Sequence, residues 1–165
     1  MQKTLLSSAF ALALLGSAGV ARADVLTGKM ARFNDVTGGP WSCSTSVPAI
    51  GDRAAHTDTS TIAFEIVPGD VIHYHIAGAD YSGDFYLGYN QRAGVYWQTG
   101  ADSLGMHAFL TSSDAFTYTG TSSMGTIDMQ DTVSYAKAGP NKTTAHEVLT
   151  RPGSQIVFDT VCTRP

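Results

Sequence analysis

The sequence predicts an all-β fold: an antiparallel up-and-down β-barrel of about eight to ten strands behind a short N-terminal helix. Three observations predict it. Short runs of alternating apolar and polar residues recur from Trp41 to the C-terminus, roughly every 8 to 12 residues. Glycine, proline, asparagine and aspartate punctuate nearly every gap between them, and gaps this short leave no room for crossover helices, so neighbouring runs must pair antiparallel. The only two cysteines, Cys43 and Cys162, stand in the first and last runs. A bridge between them would tie the ends of the sheet together, as closure of a barrel requires.

Residues 1–23 carry the pattern of a signal peptide: Lys3 in the n-region, an apolar stretch from Leu5 to Val20, and Ala21-Arg22-Ala23 as an A-x-A cleavage site. The expectation is an exported protein, periplasmic or secreted, whose residues 24–165 form one domain. In that compartment two cysteines pair as a structural disulfide. The chain has 14 Asp and Glu against 10 Lys and Arg, and Lys3 and Arg22 belong to the leader, so the exported part is clearly acidic. With no Lys/Arg run anywhere, nucleic acid and anionic membrane surfaces are poor partners.

The elements follow in order. From Asp24 to Asp35, Leu26, Met30 and Phe33 share one stripe of a helix that Thr37-Gly38-Gly39-Pro40 ends. Trp41 to Val47 alternates as the first strand. Pro48 to Ser60 is expected to be the longest loop. Thr61 to Val67 and Val71 to Ala77 form a hairpin about Pro68-Gly69-Asp70, with Ile62, Phe64, Ile66, Ile72, Tyr74 and Ile76 on one face. Strands follow at Phe85 to Tyr89, Val95 to Thr99, Met106 to Thr111, Phe116 to Gly120, Ile127 to Tyr135, Thr143 to Thr150 and Gln155 to Thr163. The bulky inward candidates are Phe64, Tyr74, Phe85, Leu87, Trp97, Phe116, Met129, Tyr135 and Phe158. They either fill the interior or line a cavity for one small apolar or amphipathic molecule.

With Gly39-Pro40-Trp41 following a helix, the chain resembles the lipocalin-like, or calycin, barrels, and within them small exported bacterial proteins with G-x-W-x-C near the front and a cysteine in the last strand. The resemblance implies that Trp41 sits at the closed end of the barrel and that Arg164, late in the last strand, packs over its indole. Nitrobindin-type haem barrels also begin G-x-W but continue x-G-x-G, where this chain has Ser42-Cys43-Ser44-Thr45. In them a late histidine ligates the iron, and His146 is the only late histidine here.

His73-Tyr74-His75 is the sharpest local signal. On a strand two imidazoles at i and i+2 share a side and can converge on one metal ion, with Asp80, Asp84 and His107 as further candidate ligands. The pattern resembles the first cupin motif, with Asp80 in place of its Glu, Gly69 at the wrong spacing and no second motif. A metal-dependent enzyme is therefore the alternative to a binding barrel. The opposing expectation is that both histidines face solvent, because Ile72, Tyr74 and Ile76 form the apolar face. Hydrolase signatures are missing: there is no G-x-S-x-G, and Glu65 and Glu147 are expected on the outer face. An interaction module working through the long loop remains a third reading. Asn141-Lys142-Thr143 matches a glycosylation sequon but is read as a hairpin turn.

Overall fold

The structure, a computed structural model, describes residues 25–165; the expected signal peptide lies outside the described residues. A 3-10 helix, Gly28–Phe33, precedes ten strands. These are β1 (Trp41–Val47), β2 (His56–Val67), β3 (Val71–Gly78), β4 (Ser82–Asn90), β5 (Val95–Asp102), β6 (Met106–Ser112), β7 (Thr117–Met124), β8 (Ile127–Gly139), β9 (Lys142–Arg151) and β10 (Ser154–Thr163). Each strand pairs antiparallel with its neighbours in sequence, and β1 pairs with both β2 and β10, so the sheet closes on itself.

Closure is set by five register pairs between β1 and β10, among them Cys43 opposite Cys162. That pair is disulfide-bonded, with Cα atoms 4.0 Å apart and a sequence separation of 119 residues. The bridge therefore spans the seam of the barrel and restrains nearly the whole described chain.

One end of the barrel is plugged. Leu26 and Met30, both almost fully buried, sit with Ile66, Ile72, Leu87, Tyr96, Leu110, Ala115, Tyr118 and Val133 in the main apolar cluster. Each large aliphatic side chain buried here contributes about 1.5 to 3 kcal/mol. Polar contacts hold the plug in place: the Leu26 N–H donates to Asn34 Oδ1 at 2.8 Å, the Thr27 N–H and hydroxyl donate to Asp70, and Tyr96 Oη donates to the Lys29 carbonyl at 3.2 Å. Asp70 lies in the β2–β3 turn at φ 57°, a left-handed conformation that this short acidic side chain tolerates. The helix is a 3-10 piece and shorter than the span from Asp24 to Asp35 that periodicity suggested. Its end is tied down by the Asn34 side chain folding back on Leu26.

Beside the plug, Trp41 is buried with the disulfide, and its indole N–H donates to the Val36 carbonyl at 2.8 Å. The Arg164 guanidinium lies 4.9 Å from the Trp41 ring centroid, a contact worth about 0.5 to 1 kcal/mol at a part-exposed site. The helix, the tryptophan and the arginine thus take the positions that the motif implied.

The expected long loop is shorter than its sequence suggested, because β2 begins at His56 and runs for 12 residues. Thr57, Thr59 and Thr61 alternate as β-branched outward residues and pair with β1, so the threonine-rich stretch is strand. Residues 48–55 remain as the connection.

Inside the barrel Phe85 lies flat against the wall over two glycines. A Cβ on Gly100 would stand 2.2 Å from the Phe85 ring and 2.5 Å from the Asp84 carbonyl oxygen; one on Gly83 would stand 2.6 Å from the ring. The missing side chains are what give the ring room.

Replacing Cys43 and Cys162 by alanine lowers unfolding free energy in urea by up to about 4 to 5 kcal/mol, the chain-entropy ceiling for so long a loop. Gly100→Val costs about 1 to 3 kcal/mol through overpacking, and near-UV circular dichroism reports displaced aromatic rings.

Candidate functional site

The alternation of each strand sorts side chains to the two faces of the wall. Of the nine bulky residues expected inside, Phe64, Tyr74, Phe85, Leu87, Met129, Tyr135 and Phe158 lie on the inward parity, and Phe85, Leu87 and Met129 are buried. Trp97 and Phe116 do not point inward. On β5 it is Tyr96 and Gln98 that are buried, at 4% and 7% exposure; Trp97 points out and lies across Gly88 of β4, where a Cβ would stand 2.4 Å from the indole. Phe116 precedes β7 at the plugged end, half exposed, 5.3 Å from the Arg32 guanidinium.

The interior is not uniformly apolar. Below the plug, toward the opposite end, polar side chains gather from five elements: Tyr74 on β3, Tyr81 just before β4, Gln98 and Asp102 on β5, Ser122 on β7, and Asp131 and Tyr135 on β8. Glu147 joins them from β9, where it pairs across to Val133 and Phe158. The Tyr135 hydroxyl donates across the lumen to Gln98 Oε1 at 3.2 Å, and Ser122 Oγ donates to Asp131 Oδ2 at 2.5 Å. Tyr74 faces the Tyr135 phenol and Tyr81 faces Asp102. The Tyr74 ring stacks on Phe85 at 5.2 Å and lies 5.8 Å from Phe64, so the polar patch is continuous with an aromatic wall.

Burial governs the electrostatics. Desolvation, with the Asp131 and Asp102 charges added to it, pushes the Glu147 carboxyl up to about 8. Desolvation also raises Asp131 above the usual carboxylate range, offset in part by the Ser122 hydroxyl. It raises the phenols of Tyr74, Tyr81 and Tyr118 as well, and lifts Tyr135 to about 12. Asp131 Oδ1 and Asp102 Oδ2 are buried without a hydrogen-bond partner. Yet Glu147, Tyr74, Tyr135 and Phe158 are only half-buried although the sheet around them is complete.

Glu147 corrects the expectation that it lies on the outer face. It shares its parity with Ala145 and Leu149, whose apolar character is the signal that points inward. Glu65 does face out, 3.8 Å from His73 Nδ1.

The histidine pair lies on the outside of the barrel. The His73 Nε2–H and the His75 Nδ1–H both donate to Asp84 Oδ1, at 2.9 and 3.0 Å, and His73 stacks on Tyr86 with ring centroids 4.8 Å apart. These two hydrogen bonds hold the Asp84 carboxyl below its ordinary range. Asp80 is engaged elsewhere, 2.5 Å from Arg53. His107 stands two strands beyond Asp84, exposed on β6. Among the described residues no three His, Cys, Asp or Glu side chains converge as a metal site. His146 also faces out and bonds Asp159 through Nδ1 at 2.7 Å, so it presents no ligand to a group inside the barrel.

Two open depressions mark the outer surface. One lies over small side chains of β1 to β3, including Ser44, Thr59 and Ala77; the other lies beside the helix, between Arg32, Asp114 and Phe116. The buried unpaired carboxylate oxygens of Asp131 and Asp102 border neither depression.

The sign of the pH dependence follows from Glu147. Its carboxyl ionises near 4.5 when unfolded and near 8 when folded, so the unfolded chain binds fewer protons between those values. Stability therefore falls as pH rises from about 4.5 to about 8, by at most about 5 kcal/mol from this group. Glu147→Gln removes that slope, and urea denaturation across this range should find the variant more stable than the parent at pH 8 and above.

No protein-family model and no curated protein matches the chain.

Proposed function

We propose that the protein is an exported, lipocalin-like barrel that binds one small amphipathic molecule in its interior. The observation that carries this reading is the half-burial of the inward residues Phe64, Tyr74, Tyr135, Glu147 and Phe158 inside a complete ring of ten strands. A core packed to native density leaves side chains at that depth without accessible surface. The helix plug closes one end, as in a cup, and the aromatic wall beside a polar patch suits a ligand with an apolar body and a polar head. The Cys43–Cys162 bridge fits an oxidising compartment, in line with residues 1–23 acting as a signal peptide. The motif Gly39-Pro40-Trp41 and the Arg164 contact support the lipocalin-like assignment.

The test is titration of the disulfide-bonded protein with N-phenyl-1-naphthylamine, a neutral fluorophore that brightens in apolar cavities, alongside native mass spectrometry. Saturable enhancement, competed by any molecule retained through purification, is the expected result. Trp41, packed against Phe64, is the indole to monitor, since Trp97 lies outside. A bare native mass together with no enhancement above that of a filled variant, Ala145→Phe, would overturn the reading.

A further inference from the structure

We infer that the polar patch inside the barrel is a subsite for the cationic head of a small organic amine, held between the carboxylates of Glu147, Asp131 and Asp102 and the phenol rings of Tyr74, Tyr81 and Tyr135. This rests on the proposed ligand-binding reading and sets the charge class of the ligand.

The interior charge is one-sided. Three carboxyl groups from β5, β8 and β9 share the lumen closely enough for Asp131 and Asp102 to act on Glu147. No base answers them: every Lys and Arg among the described residues is exposed except Arg164, and that side chain is committed to Trp41 at the plugged end. Buried acids ordinarily pair with a base or take several hydrogen bonds, because an uncompensated charge in a low-dielectric interior is costly.

The hydrogen-bond accounting points the same way. Asp131 is 2% exposed; its Oδ2 takes the Ser122 hydroxyl, while its Oδ1 is buried with no donor. Asp102 differs: its Oδ1 accepts the Leu104 and Met106 N–H groups of the β5–β6 turn, and only its Oδ2, beside the Tyr81 phenol, is buried without a hydrogen bond. A group carrying several N–H donors and a positive charge satisfies both deficits at once. An anion would face Asp131 and Asp102 with no base beside it and would worsen both.

The chemistry favours an organic cation over a metal ion. The acids come from three strands and do not converge as a set of three on one point. Their spread suits a body of several atoms. Around them stand phenol rings, whose negative faces attract cations, and Phe64 and Phe85 extend that surface for the apolar remainder of the ligand.

Protonation couples to binding in a definite direction. Glu147 is faced by Asp131 and Tyr135 of β8, Asp102 of β5, Tyr74 of β3 and Tyr81 before β4, while its β10 partner is the apolar Phe158. Its carboxyl, held near 8 in the empty barrel, gives up a proton when an ammonium group arrives. Amine binding should therefore release a proton at neutral pH, and affinity should rise as pH increases through 8.

The experiment uses three dansyl probes of matched bulk: dansylcadaverine as the cation, dansylamide as the neutral form and dansylglycine as the anion. Each is titrated into the disulfide-bonded protein at pH values on either side of 8, followed by fluorescence and by calorimetry in buffers of different ionisation enthalpy. The expected result is that the cation binds about tenfold or more tighter than the neutral probe, with the anion weakest and with proton release on binding. Glu147→Gln and Asp131→Asn should each bring the cation's affinity down toward that of dansylamide and, for Glu147→Gln, abolish the proton release. Near-UV circular dichroism checks folding, and Glu147→Gln carries the test if the buried Asp131 variant does not fold. Equal or tighter binding of the neutral or anionic probe, or a cation preference that survives Glu147→Gln, overturns the amine subsite while leaving a ligand-binding barrel. Failure of all three probes to bind overturns the binding reading itself and the subsite with it.

Discussion

The ladder that joins β1 to β10 is the constraint on which the rest of the molecule depends. An open sheet of ten strands would leave two edges with unpaired backbone groups; pairing the first strand with the last satisfies those groups and removes the edges. The register of that ladder brings Cys43 opposite Cys162, and the disulfide then holds the seam against opening. Because closure joins elements at opposite ends of the described chain, its cost is loop-closure entropy in the unfolded state. The crosslink lowers that entropy in advance.

Closure also creates an inside, and the inside is divided. At the helix end, Leu26, Met30 and the cluster around Ile72, Leu110 and Tyr118 are buried and apolar apart from the unpaired Tyr118 hydroxyl. Farther along the lumen the same strands carry Gln98, Asp131 and Glu147, groups that a packed core would exclude. The energetic conflict is real: desolvation opposes ionisation of Glu147, and Asp131 keeps an unpaired oxygen. A structure that retains such groups gives up stability at that place, and functional sites are where that trade is usually found. The outer cluster of His73, His75 and Asp84 differs in kind, because solvent reaches its members and each of those side chains has a partner.

Most of the strand plan was legible because a strand's faces follow a period of two and its turns need special residues. The bounds of β1 and the hairpin between β2 and β3 show this directly: alternation marks their faces and Pro68-Gly69-Asp70 marks their turn. The beginning of β2 was less legible, since Thr57, Ser60 and Asp58 have the polarity of a loop and become strand only because β1 stands beside them. The site was legible only in part. Bulk misled at Trp97, where the bare surface of Gly88 on the neighbouring strand offers the indole a shelf outside while Tyr96 and Gln98 take the interior. Charge misled at Glu147, whose neighbours in parity, Ala145 and Leu149, were the better guide.

The sequence by itself determined the class and the order of elements. Those properties are local, written in periodicity, in turn residues, in the Gly39-Pro40-Trp41 motif and in the number of cysteines. Tertiary structure alone decided which side chains meet across the lumen. Tyr135 reaching Gln98, and Asp102 and Asp131 acting on Glu147, join strands separated by long stretches of chain. Their proximity depends on the stagger at which ten tilted strands close, which no single strand's pattern contains.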